Sequence, residues 1–513
     1  MTTGAHDSIF YPEETSFFSH NERRYPKLAM TDIGDRFASL PALVALESGV
    51  KIVLTETDLQ DYPGLWLRGT GLGQSGLQGI FPAYPKKELL KNDRDLIVIE
   101  RENFIAKTQG TRKFPWRVMM VAENDEDIIA NQLPYLLSEP SRLKESAWIK
   151  PGKVAWDWWN FNNIYGQDVD FEAGINTATY KYFVDFASEN KLEYIVLDEG
   201  WTANTSDILH ANPDINMEEL LAYARQKNVG IILWVLSVPM EKDMIEALDL
   251  YQKWGVKGIK MDFMQRDDQR IVNFCWKVTE ECAKRQLLTD LHGTFKPSGL
   301  NRTYPNLLTS EGVYGLENSK WDSIAKAIGP EHNVTIPFTR MAAGPMDYTP
   351  GAMHNYALSD WWASWNRPAS MGTRCHELAK YVVYESPLQM LADNPTNYKK
   401  EPESLGFLSK VPSVWEKTVV LPSKVGDYVA VARQAADGSW YIGAMTDWTA
   451  RPMAINTSFL PAGNYKMEIF EDGRNAHRNA QDYTRKVRTF KSGDVLNVKL
   501  APGGGMVAVL TKN

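Results

Sequence analysis

Short apolar runs that end in acidic or polar residues recur along the middle of this chain and alternate with helical patterns. Between the early runs, apolar residues lie three and four apart, as on one helix face, in Ile175–Lys191, Asp214–Asn228 and Glu241–Gly255. Such alternation indicates a parallel sheet, and seven or eight units fit one (β/α)8 barrel. The predicted strands are Lys153–Trp159, Tyr194–Leu197, Val229–Leu236, Gly258–Asp262, Leu287–His292, Leu307–Glu311, Asn333–Phe338 and a run near Leu388–Asp393.

The run Gly258–Asp262 carries two charges inside an otherwise apolar strand. Lys260 and Asp262 lie two residues apart, so their side chains point to the same face of the strand. A strand interior rarely holds a charge that is neither paired nor used. One interpretation is a Lys–Asp ion pair at a strand end. The other is a catalytic carboxylate, because barrel enzymes keep their reactive groups at the carboxyl ends of the strands.

Composition supports a large globular chain and excludes several classes of function. The 513 residues predict two to four domains, and 43% hydrophobic residues exclude wholesale disorder. The net charge of −8, without a basic stripe, argues against nucleic acid as a partner. Cys275, Cys282 and Cys375 form no disulfide framework, and the absence of HExxH argues against zinc.

Targeting signals are weak in this sequence. No stretch of 18 apolar residues predicts a membrane span. The first 30 residues lack the apolar core of a signal peptide. If Met1 is the natural start, the expected compartment is the cytoplasm.

The regions that flank the predicted barrel are rich in β-patterns. We expect an N-terminal β-sandwich over 1–147, the barrel over 148–400 and a C-terminal all-β domain over 401–513. In the last region, the turn Asp437–Gly438 predicts a hairpin. The fold class is therefore α/β, with β-domains on both sides of a (β/α)8 barrel.

Aromatic and acidic residues coincide at several predicted strand ends. Tryptophan is abundant, with 17 residues, and aromatic rings at a barrel mouth suit the apolar faces of sugars. The alternative is that the rings fill the core, which we favour for Trp156 and Trp254. Trp158 and Trp201 are expected to contact a ligand, because they lie next to acidic residues at strand ends.

Glycoside hydrolysis requires two carboxyl groups, one acid and one nucleophile or base. Asp262 is one candidate. Glu311 and Glu317 follow a later strand, and Glu317 lies in a loop with little else to explain it. We predict that a raised pKa would let Glu317 serve as the acid.

Six motifs lie in and around the predicted barrel: VAWDWWN (154–160), LDEGW (197–201), GIKMDFM (258–264), EGVYGLEN (311–318), PFTRMAAGPMDYTPG (337–351) and YESPLQMLAD (384–393). Together they resemble glycoside hydrolase family 97, a group of bacterial exo-acting enzymes. The resemblance covers nearly the whole chain and implies an N-terminal sandwich, a (β/α)8 barrel and a C-terminal β-domain. Members have a signal peptide and a longer sandwich, so this chain is expected to lack the first sandwich strands.

The resemblance further implies a retaining mechanism. Inverting members of the family carry a glutamate after the histidine of the fifth strand and lack the aspartate of the fourth. Here Gly293 follows His292 and Asp262 is present. The chain is thus similar to the family's α-galactosidases, with Asp262 as nucleophile and Glu317 as acid and base. The residues expected to bind the sugar are Lys260, Asp157, Trp158, Asp198 and His292.

The family also binds one calcium ion beside the sugar. The matching ligands in this sequence are Glu56, Glu311 and Glu317, and oxygen ligands suit calcium. For Glu56, an ordinary solvated strand-end acid is an equal alternative. Gly293 removes a carboxylate that inverting members lend to the ion, so a water or another oxygen is expected to replace it.

Two alternatives to an α-galactosidase stay open from the sequence. One is a retaining β-L-arabinopyranosidase, because that sugar is galactose without its hydroxymethyl group. The other is a non-catalytic sugar-binding pseudoenzyme. The expected partner is an oligosaccharide with a terminal α-galactose, and a monomer is favoured. The resemblance implies a periplasmic location.

Overall fold

The structure is a computed structural model that describes residues 1–164, 166, 168–323 and 327–513. Its N-terminal region contains a five-stranded sheet, a four-stranded sheet and a separate hairpin of β9 and β10. Ile9 and Leu54 of the first sheet share one core with Ala38 and Leu67 of the second, which makes a sandwich. The strands are β1 Ser8–Phe10, β2 Glu13–Glu14, β3 Lys27–Ala29, β4 Phe37–Ala38, β5 Ala42–Ala45, β6 Lys51–Thr57, β7 Trp66–Gly69, β8 Leu77–Ile80, β9 Pro85–Leu90, β10 Leu96–Arg101 and β11 Trp116–Ala122. Two short helices follow, α1 Glu126–Ile129 and α2 Leu133–Leu137.

Seven parallel strands form the central barrel, in the order β19-β18-β17-β16-β13-β12-β22. They are continuous apolar runs because helices cover the outside and side chains fill the inside. Short strands in the connecting loops pair as β14 with β15 and β20 with β21. In chain order the strands are β12 Gly152–Trp156, β13 Tyr194–Leu197, β14 Thr202–Asn204, β15 Asp207–Ala211, β16 Gly230–Leu236, β17 Gly258–Asp262, β18 Leu288–Leu291, β19 Leu307–Ser310, β20 Asn355–Tyr356, β21 Ser370–Met371 and β22 Leu388–Leu391.

The helices of this region alternate with the strands, as the spacing of apolar residues predicts. Several begin at an asparagine, aspartate or threonine whose side chain accepts a hydrogen bond from the first turn, for example Asn176, Asp268 and Thr373. The helices are α3 Thr177–Glu189, α4 Met217–Gln226, α5 Ser237–Trp254, α6 Gln269–Lys284, α7 Leu300–Thr303, α8 Pro330–Thr335, α9 Arg374–Val383, α10 Pro395–Lys399 and α11 Pro402–Leu408. Short 3-10 turns lie at Met30–Asp32, Leu316–Lys320, Ile336–Phe338 and Arg340–Ala343.

The predicted seventh strand, Asn333–Phe338, is helical in the structure. It lies in α8 and the 3-10 turn that follows. Pro330 occupies the first turn of α8, and Pro337 has no N–H to donate to a central ladder. Residues 346–347 bridge the gap instead, because Met346 N–H donates to the carbonyl of Glu385 at 2.8 Å and Asp347 N–H donates to the carbonyl of Ser310 at 3.0 Å.

The C-terminal region is all-β. A six-stranded sheet in the order β23-β24-β25-β30-β27-β28 packs one face on a core shared with the hairpin of β26 and β29. Its other face contacts α9, where a Cβ on Gly443 would lie 2.7 Å from Val382. The strands are β23 Lys417–Val420, β24 Tyr428–Gln434, β25 Trp440–Thr446, β26 Arg451–Asn456, β27 Asn464–Asp472, β28 Tyr483–Lys491, β29 Val495–Leu500 and β30 Gly505–Lys512.

The N-terminal sandwich contacts the barrel near the carboxyl ends of its strands. Trp66 donates its indole N–H to both oxygens of Asp267 at 2.9 Å, and Ser19 N–H donates to the carbonyl of Gln265 at 2.7 Å. Residues of the sandwich therefore lie beside the mouth of the barrel. Among the described helices, none is both long and apolar enough to cross a membrane.

Candidate active site

Polar side chains follow the carboxyl ends of five barrel strands. Asp157 comes after β12, Asp198 after β13, His292 after β18 and Glu311 after β19, while Asp262 is the last residue of β17. Because the strands are parallel, these residues meet at one end of the barrel. The 3-10 turn Leu316–Lys320 brings Glu317 to the same end.

A cavity of about 790 Å³ opens at this end of the barrel. Its volume is in the upper part of the range typical of pockets for small molecules. Its polar part is lined by Asp198, Lys260, Asp262, His292 and Glu317, together with Trp234. A second cavity of about 410 Å³ lies against the sandwich and shares Asp262, His292 and Glu317 with the first. These three residues therefore lie where the two cavities meet.

Asp262 and Glu317 converge on the same imidazole. Asp262 Oδ2 lies 3.8 Å from His292 Nδ1, and Glu317 Oε1 lies 4.0 Å from that atom. Asp262 is oriented by hydrogen bonds from Trp234 Nε1 at 3.0 Å and from the N–H of Phe263 at 2.6 Å. Phe263 has φ +65°, an uncommon conformation for a bulky residue, so the backbone directly after the nucleophile candidate is strained.

His292 is surrounded by carboxylates. Its Nε2 lies 3.3 Å from Asp347 Oδ2, on the side opposite Asp262 and Glu317. Burial and Lys260 disfavour the imidazolium, but Asp347, Glu317 and Asp262 outweigh them and raise the pKa of His292 to about 9. His292 therefore carries a positive charge beside both catalytic candidates at neutral pH.

Glu317 has the electrostatic character of a general acid. Burial is the largest influence and raises the pKa of the Glu317 carboxyl, while His292 and Lys260 act in the opposite direction. A raised pKa keeps a proton available near neutral pH, which an acid catalyst needs.

Lys260 pairs with Asp198 and not with Asp262. Its ammonium lies 2.8 Å from Asp198 Oδ2 and 4.7 Å from the centre of the Trp156 ring. Trp156 Nε1 donates to the same oxygen at 2.7 Å. Burial alone would raise the pKa of Asp198, but Lys260 outweighs burial and lowers it. The pair is buried yet lines the cavity, so it is positioned to bind sugar hydroxyls.

Asp157, predicted to bind the sugar, is buried and is not among the described residues that line the cavity, so a direct role in sugar binding stays a prediction. Its Oδ2 accepts a hydrogen bond from Asn162 at 2.8 Å, and its Oδ1 accepts one from Asp198 N–H at 3.3 Å. Burial, followed by the Asp198 charge, raises the pKa of Asp157 to about 7. Among the described residues, Asn162 lines the cavity in its place.

The two tryptophans predicted to contact a ligand differ. Trp158 is partly buried and lines the cavity. Trp201 is fully buried and donates its indole N–H to the carbonyl of Trp234 at 2.6 Å. Its ring packs against Tyr251 and Trp254. Trp201 is therefore a core residue, because the strand-end loop turns its ring inwards.

Carboxylates and imidazoles concentrate beside the catalytic candidates. Ligand atoms of His20, Glu22 and Glu311 lie within 4.8 Å of one another, and those of His292, Glu311 and Glu317 do the same. Burial, then Glu22, Glu317 and Asp262, raise the pKa of Glu311 well above its usual value. A bound cation would neutralise these clustered carboxylates. Their oxygens suit calcium better than the imidazole nitrogens do.

Glu56, predicted as a metal ligand, is paired with two cations. Its carboxylate forms ion pairs with Lys296 and Arg117 and accepts the N–H of Leu65 at 3.0 Å. These partners use its oxygens inside the sandwich–barrel interface. The glutamate that the sandwich does contribute to the cluster is Glu22, beside Asn318 at 3.1 Å.

Sequence reasoning also missed residues that reach the site from distant loops. Arg94, from the hairpin of β9 and β10, pairs with Glu199 at 2.8 Å and lies 4.9 Å from the Phe263 ring. Trp365 comes from the loop between β20 and β21. Neither Arg94 nor Trp365 follows a predicted barrel strand, so the sequence pattern did not indicate them. Glu22 had a weak signal, as an acid in the mixed-charge run HNERR.

Comparison with known proteins agrees with this geometry. The sequence matches the family descriptions glycosyl-hydrolase 97 N-terminal over residues 3–140, glycoside hydrolase 97 over 158–313, and glycosyl-hydrolase 97 C-terminal, oligomerisation, over 414–511. A retaining alpha-galactosidase from Bacteroides thetaiotaomicron is 46% identical over 495 residues, covering 96% of this chain and 74% of the relative. The chain belongs to glycoside hydrolase family 97. It is a glycoside hydrolase, as its motifs predict.

Other relatives give the same family and fold. A probable retaining alpha-galactosidase from Streptomyces bingchenggensis is 30% identical over 78% of this chain and 59% of the relative. The structure of a family 97 enzyme from Pseudoalteromonas sp. strain K8 in complex with acarbose has a TM-score of 0.85 at 28% identity, covering 99% of this chain and 79% of that one. A beta-arabinopyranosidase structure, with a TM-score of 0.78 at 20% identity over 99% of this chain and 79% of that one, shares the fold.

Proposed function

We propose that this family 97 enzyme is a retaining, exo-acting α-galactosidase, with Asp262 as nucleophile and Glu317 as acid and base. The observation that carries the proposal is the contact between Asp262 and Gly293. A Cβ on Gly293 would lie 2.4 Å from Asp262 Oδ1. The carboxylate at the end of β17 and a side chain at 293 exclude each other, so the enzyme uses Asp262 and has no base on the fifth strand.

In the first step, Asp262 attacks the anomeric carbon of a terminal α-galactoside. The bond to the leaving oxygen breaks while Glu317 transfers its proton to that oxygen. The product of this step is a β-linked galactosyl ester of Asp262. Trp234 and the N–H of Phe263 fix the attacking carboxylate in place.

In the second step, Glu317, now ionised, removes a proton from water. The water attacks the anomeric carbon from the face that the aglycone left, and the ester bond to Asp262 breaks. Two inversions give α-galactose. Positive charge on His292 stabilises Asp262 and Glu317 whenever either is ionised.

The sugar is held by the polar part of the cavity. The Lys260–Asp198 pair offers both a donor and an acceptor to hydroxyl groups, and Asn162 adds an amide. Trp158 offers an apolar face. Asp157 acts indirectly, because it fixes Asn162 and the backbone at Asp198.

We also propose that Glu22, Glu311 and Glu317 hold one Ca²⁺. Glu311 belongs to two groups of ligand atoms, one with Glu22 and one with Glu317, and burial, followed by the charges of Glu22, Glu317 and Asp262, raises the pKa of the Glu311 carboxyl. A bound calcium ion would supply the compensating charge and a fixed position for these oxygens. This chain's residues supply the proton transfers.

The stereochemistry of the first product tests the mechanism. Proton NMR during hydrolysis of an aryl α-galactoside is expected to show α-galactose before mutarotation. Appearance of the β-anomer first would overturn both the assignment of Asp262 as nucleophile and the assignment of the enzyme to the retaining branch of the family. An aryl β-L-arabinopyranoside in parallel reveals the preferred sugar, because turnover of that substrate alone would contradict the galactoside assignment.

A retaining pair also has a characteristic spacing. We expect the carboxyl groups of Asp262 and Glu317 in a sugar complex to lie about 5–5.5 Å apart, since inverting enzymes need about 6.5–9.5 Å for a water. A crystal structure with galactose measures this distance.

A further inference from the structure

Four aromatic side chains form one wall of the barrel cavity. Trp158 and Phe161 come from the loop after β12, Trp321 follows the turn that carries Glu317, and Trp365 lies between β20 and β21. The Trp365 ring centre lies 5.6 Å from that of Trp158, 5.9 Å from Phe161 and 5.7 Å from Trp321. Three separate loops therefore converge on one aromatic surface, with Trp365 in its middle.

Core packing does not explain this surface. Phe161 is 51% exposed, and Trp321 and Trp365 are each 45% exposed. Phe161 also has φ +53°, a conformation that costs energy for a bulky residue. Large apolar side chains that stay half in solvent at a pocket mouth mark a binding surface.

Lys320 anchors the surface from behind. Its buried Nζ donates to the carbonyls of Trp158 at 2.9 Å and Trp159 at 2.6 Å. It also lies 4.9 Å from the Trp158 ring centre and 5.2 Å from the Trp365 ring centre. The rings are thus positioned before any ligand binds, which lowers the entropy that binding must lose.

The surface lies on the leaving-group side of the catalytic pair. Trp321 is four residues after Glu317 and lines both cavities with it. The general acid contacts the glycosidic oxygen, so groups beside it and towards solvent face the aglycone. The polar Lys260–Asp198 pair, which also lines the cavity, is the pair proposed above to bind the galactosyl unit.

We infer that Trp158, Phe161, Trp321 and Trp365 form the leaving-group subsite, and that its occupant is a hexopyranose of an oligosaccharide. The inference rests on the proposed galactosidase activity. A pyranose has an apolar C–H face that matches a flat aromatic ring, and hydroxyls at its edge that stay in solvent. The half-exposed rings satisfy both requirements, and the cavity of about 790 Å³ extends beyond one sugar unit.

The test compares leaving groups of different size on the same galactosyl unit. The substrates are an α-1,6-linked galactosyl-glucose and α-galactosyl fluoride, whose fluoride needs no aromatic surface. For Trp365→Ala we expect kcat/KM on the disaccharide to fall about tenfold more than on the fluoride. Trp365→Phe should recover most of the difference, because a flat ring remains.

Trp362→Ala is the matched control. Trp362 is a tryptophan of the same loop, 62% exposed and stacked on Tyr356 at 5.5 Å, and it is not among the described residues that line the cavity. Its removal should lower kcat/KM equally little for both substrates.

The outcomes separate this inference from the proposed function. Equal losses for both substrates in Trp365→Ala, or no loss, would overturn the subsite. A parallel assay with a nitrophenyl α-galactoside tests the occupant, because a loss confined to that substrate would overturn the pyranose. If the enzyme cleaves only arabinopyranosides, the galactosidase proposal fails, and the same comparison with an arabinopyranosyl disaccharide and fluoride decides the subsite by itself.

Discussion

Asp262 Oδ1 occupies space that any side chain at position 293 would need. A Cβ on Gly293 would lie 2.4 Å from that oxygen and 2.6 Å from the backbone nitrogen of Phe263. Gly293 also has φ +53°, which favours glycine. The backbone just after β18 thus approaches the proposed nucleophile so closely that it leaves no room for a side chain at position 293.

The first prediction follows from this contact. Gly293→Ala should lower kcat at least about 100-fold, because displacement of Asp262 by even 1 Å has effects of this size. Steady-state kinetics on an aryl α-galactoside measures the loss. Gly406→Ala is the control, since an added Cβ there meets nothing within 4 Å and α11 gains helix propensity. Normal turnover by Gly293→Ala would show that Asp262 does not act from its observed position.

The second prediction concerns the nucleophile itself. Asp262→Gly should lower turnover by about 10³-fold or more, because no other carboxylate takes its place. Azide should restore part of the activity by entering the space and attacking the anomeric carbon, giving β-galactosyl azide. Asp262→Asn is the control, because its amide fills that space and excludes azide. Mass spectrometry and NMR identify the azide product, and near-normal turnover of Asp262→Gly would contradict the assignment.

Local patterns explain which parts of the fold were predictable. The strands Tyr194–Leu197 and Gly258–Asp262 have the predicted bounds, since an apolar run between two helices has few alternatives. The prediction for Asn333–Phe338 was wrong because an apolar run of that length does not distinguish a strand from a buried helix. Pro337 was the signal that could have corrected it.

Some residues of the candidate site were also predictable from the sequence, and others were not. The sequence was sufficient to predict Asp262 and His292 as site residues, because an apolar run followed by a polar residue locates the end of a strand. Glu22 and Trp365 could not be predicted, because loops distant in the sequence carry them to the barrel mouth through tertiary packing. Glu56 has the strand-end position of a site residue, but the sequence could not predict that its carboxylate pairs with Lys296.

The third prediction concerns calcium. Exhaustive chelation should lower both the activity and the midpoint of thermal unfolding, and added Ca²⁺ should restore both, since an ion that binds only the folded state stabilises it. Glu22→Gln should weaken this dependence, because it removes one of the clustered carboxylates. Calorimetry with and without calcium measures the shift, and a shift unchanged by Glu22→Gln would exclude Glu22 as a ligand.

Glu56→Gln is the matched variant for the calcium experiment. It should keep the full calcium-dependent shift but lower the stability at every calcium concentration. Loss of the Glu56 carboxylate leaves Lys296 without its closest carboxylate, and the Lys296 side chain is only 1% exposed. Breaking such a buried pair costs about 3–5 kcal/mol. A lost calcium response in Glu56→Gln would instead restore Glu56 as a ligand.

The fourth prediction concerns the dependence of stability on pH. Burial and then the Asp198 charge raise the pKa of Asp157 to about 7 in the folded protein, against about 3.9 in an unfolded chain. The folded state therefore binds this proton more tightly than the unfolded state does. The resulting stabilisation is complete below pH 4 and is lost as the pH rises towards 7.

The variant Asp157→Asn has no side-chain proton to lose. The difference in unfolding free energy between the wild type and Asp157→Asn should consequently favour the wild type most at pH 4 and shrink steadily up to about pH 7. Urea unfolding of both proteins across this range measures the difference, in which the other titrating groups largely cancel. A constant difference would mean that Asp157 titrates alike in both states, and that the charge of Asp198 does not reach it.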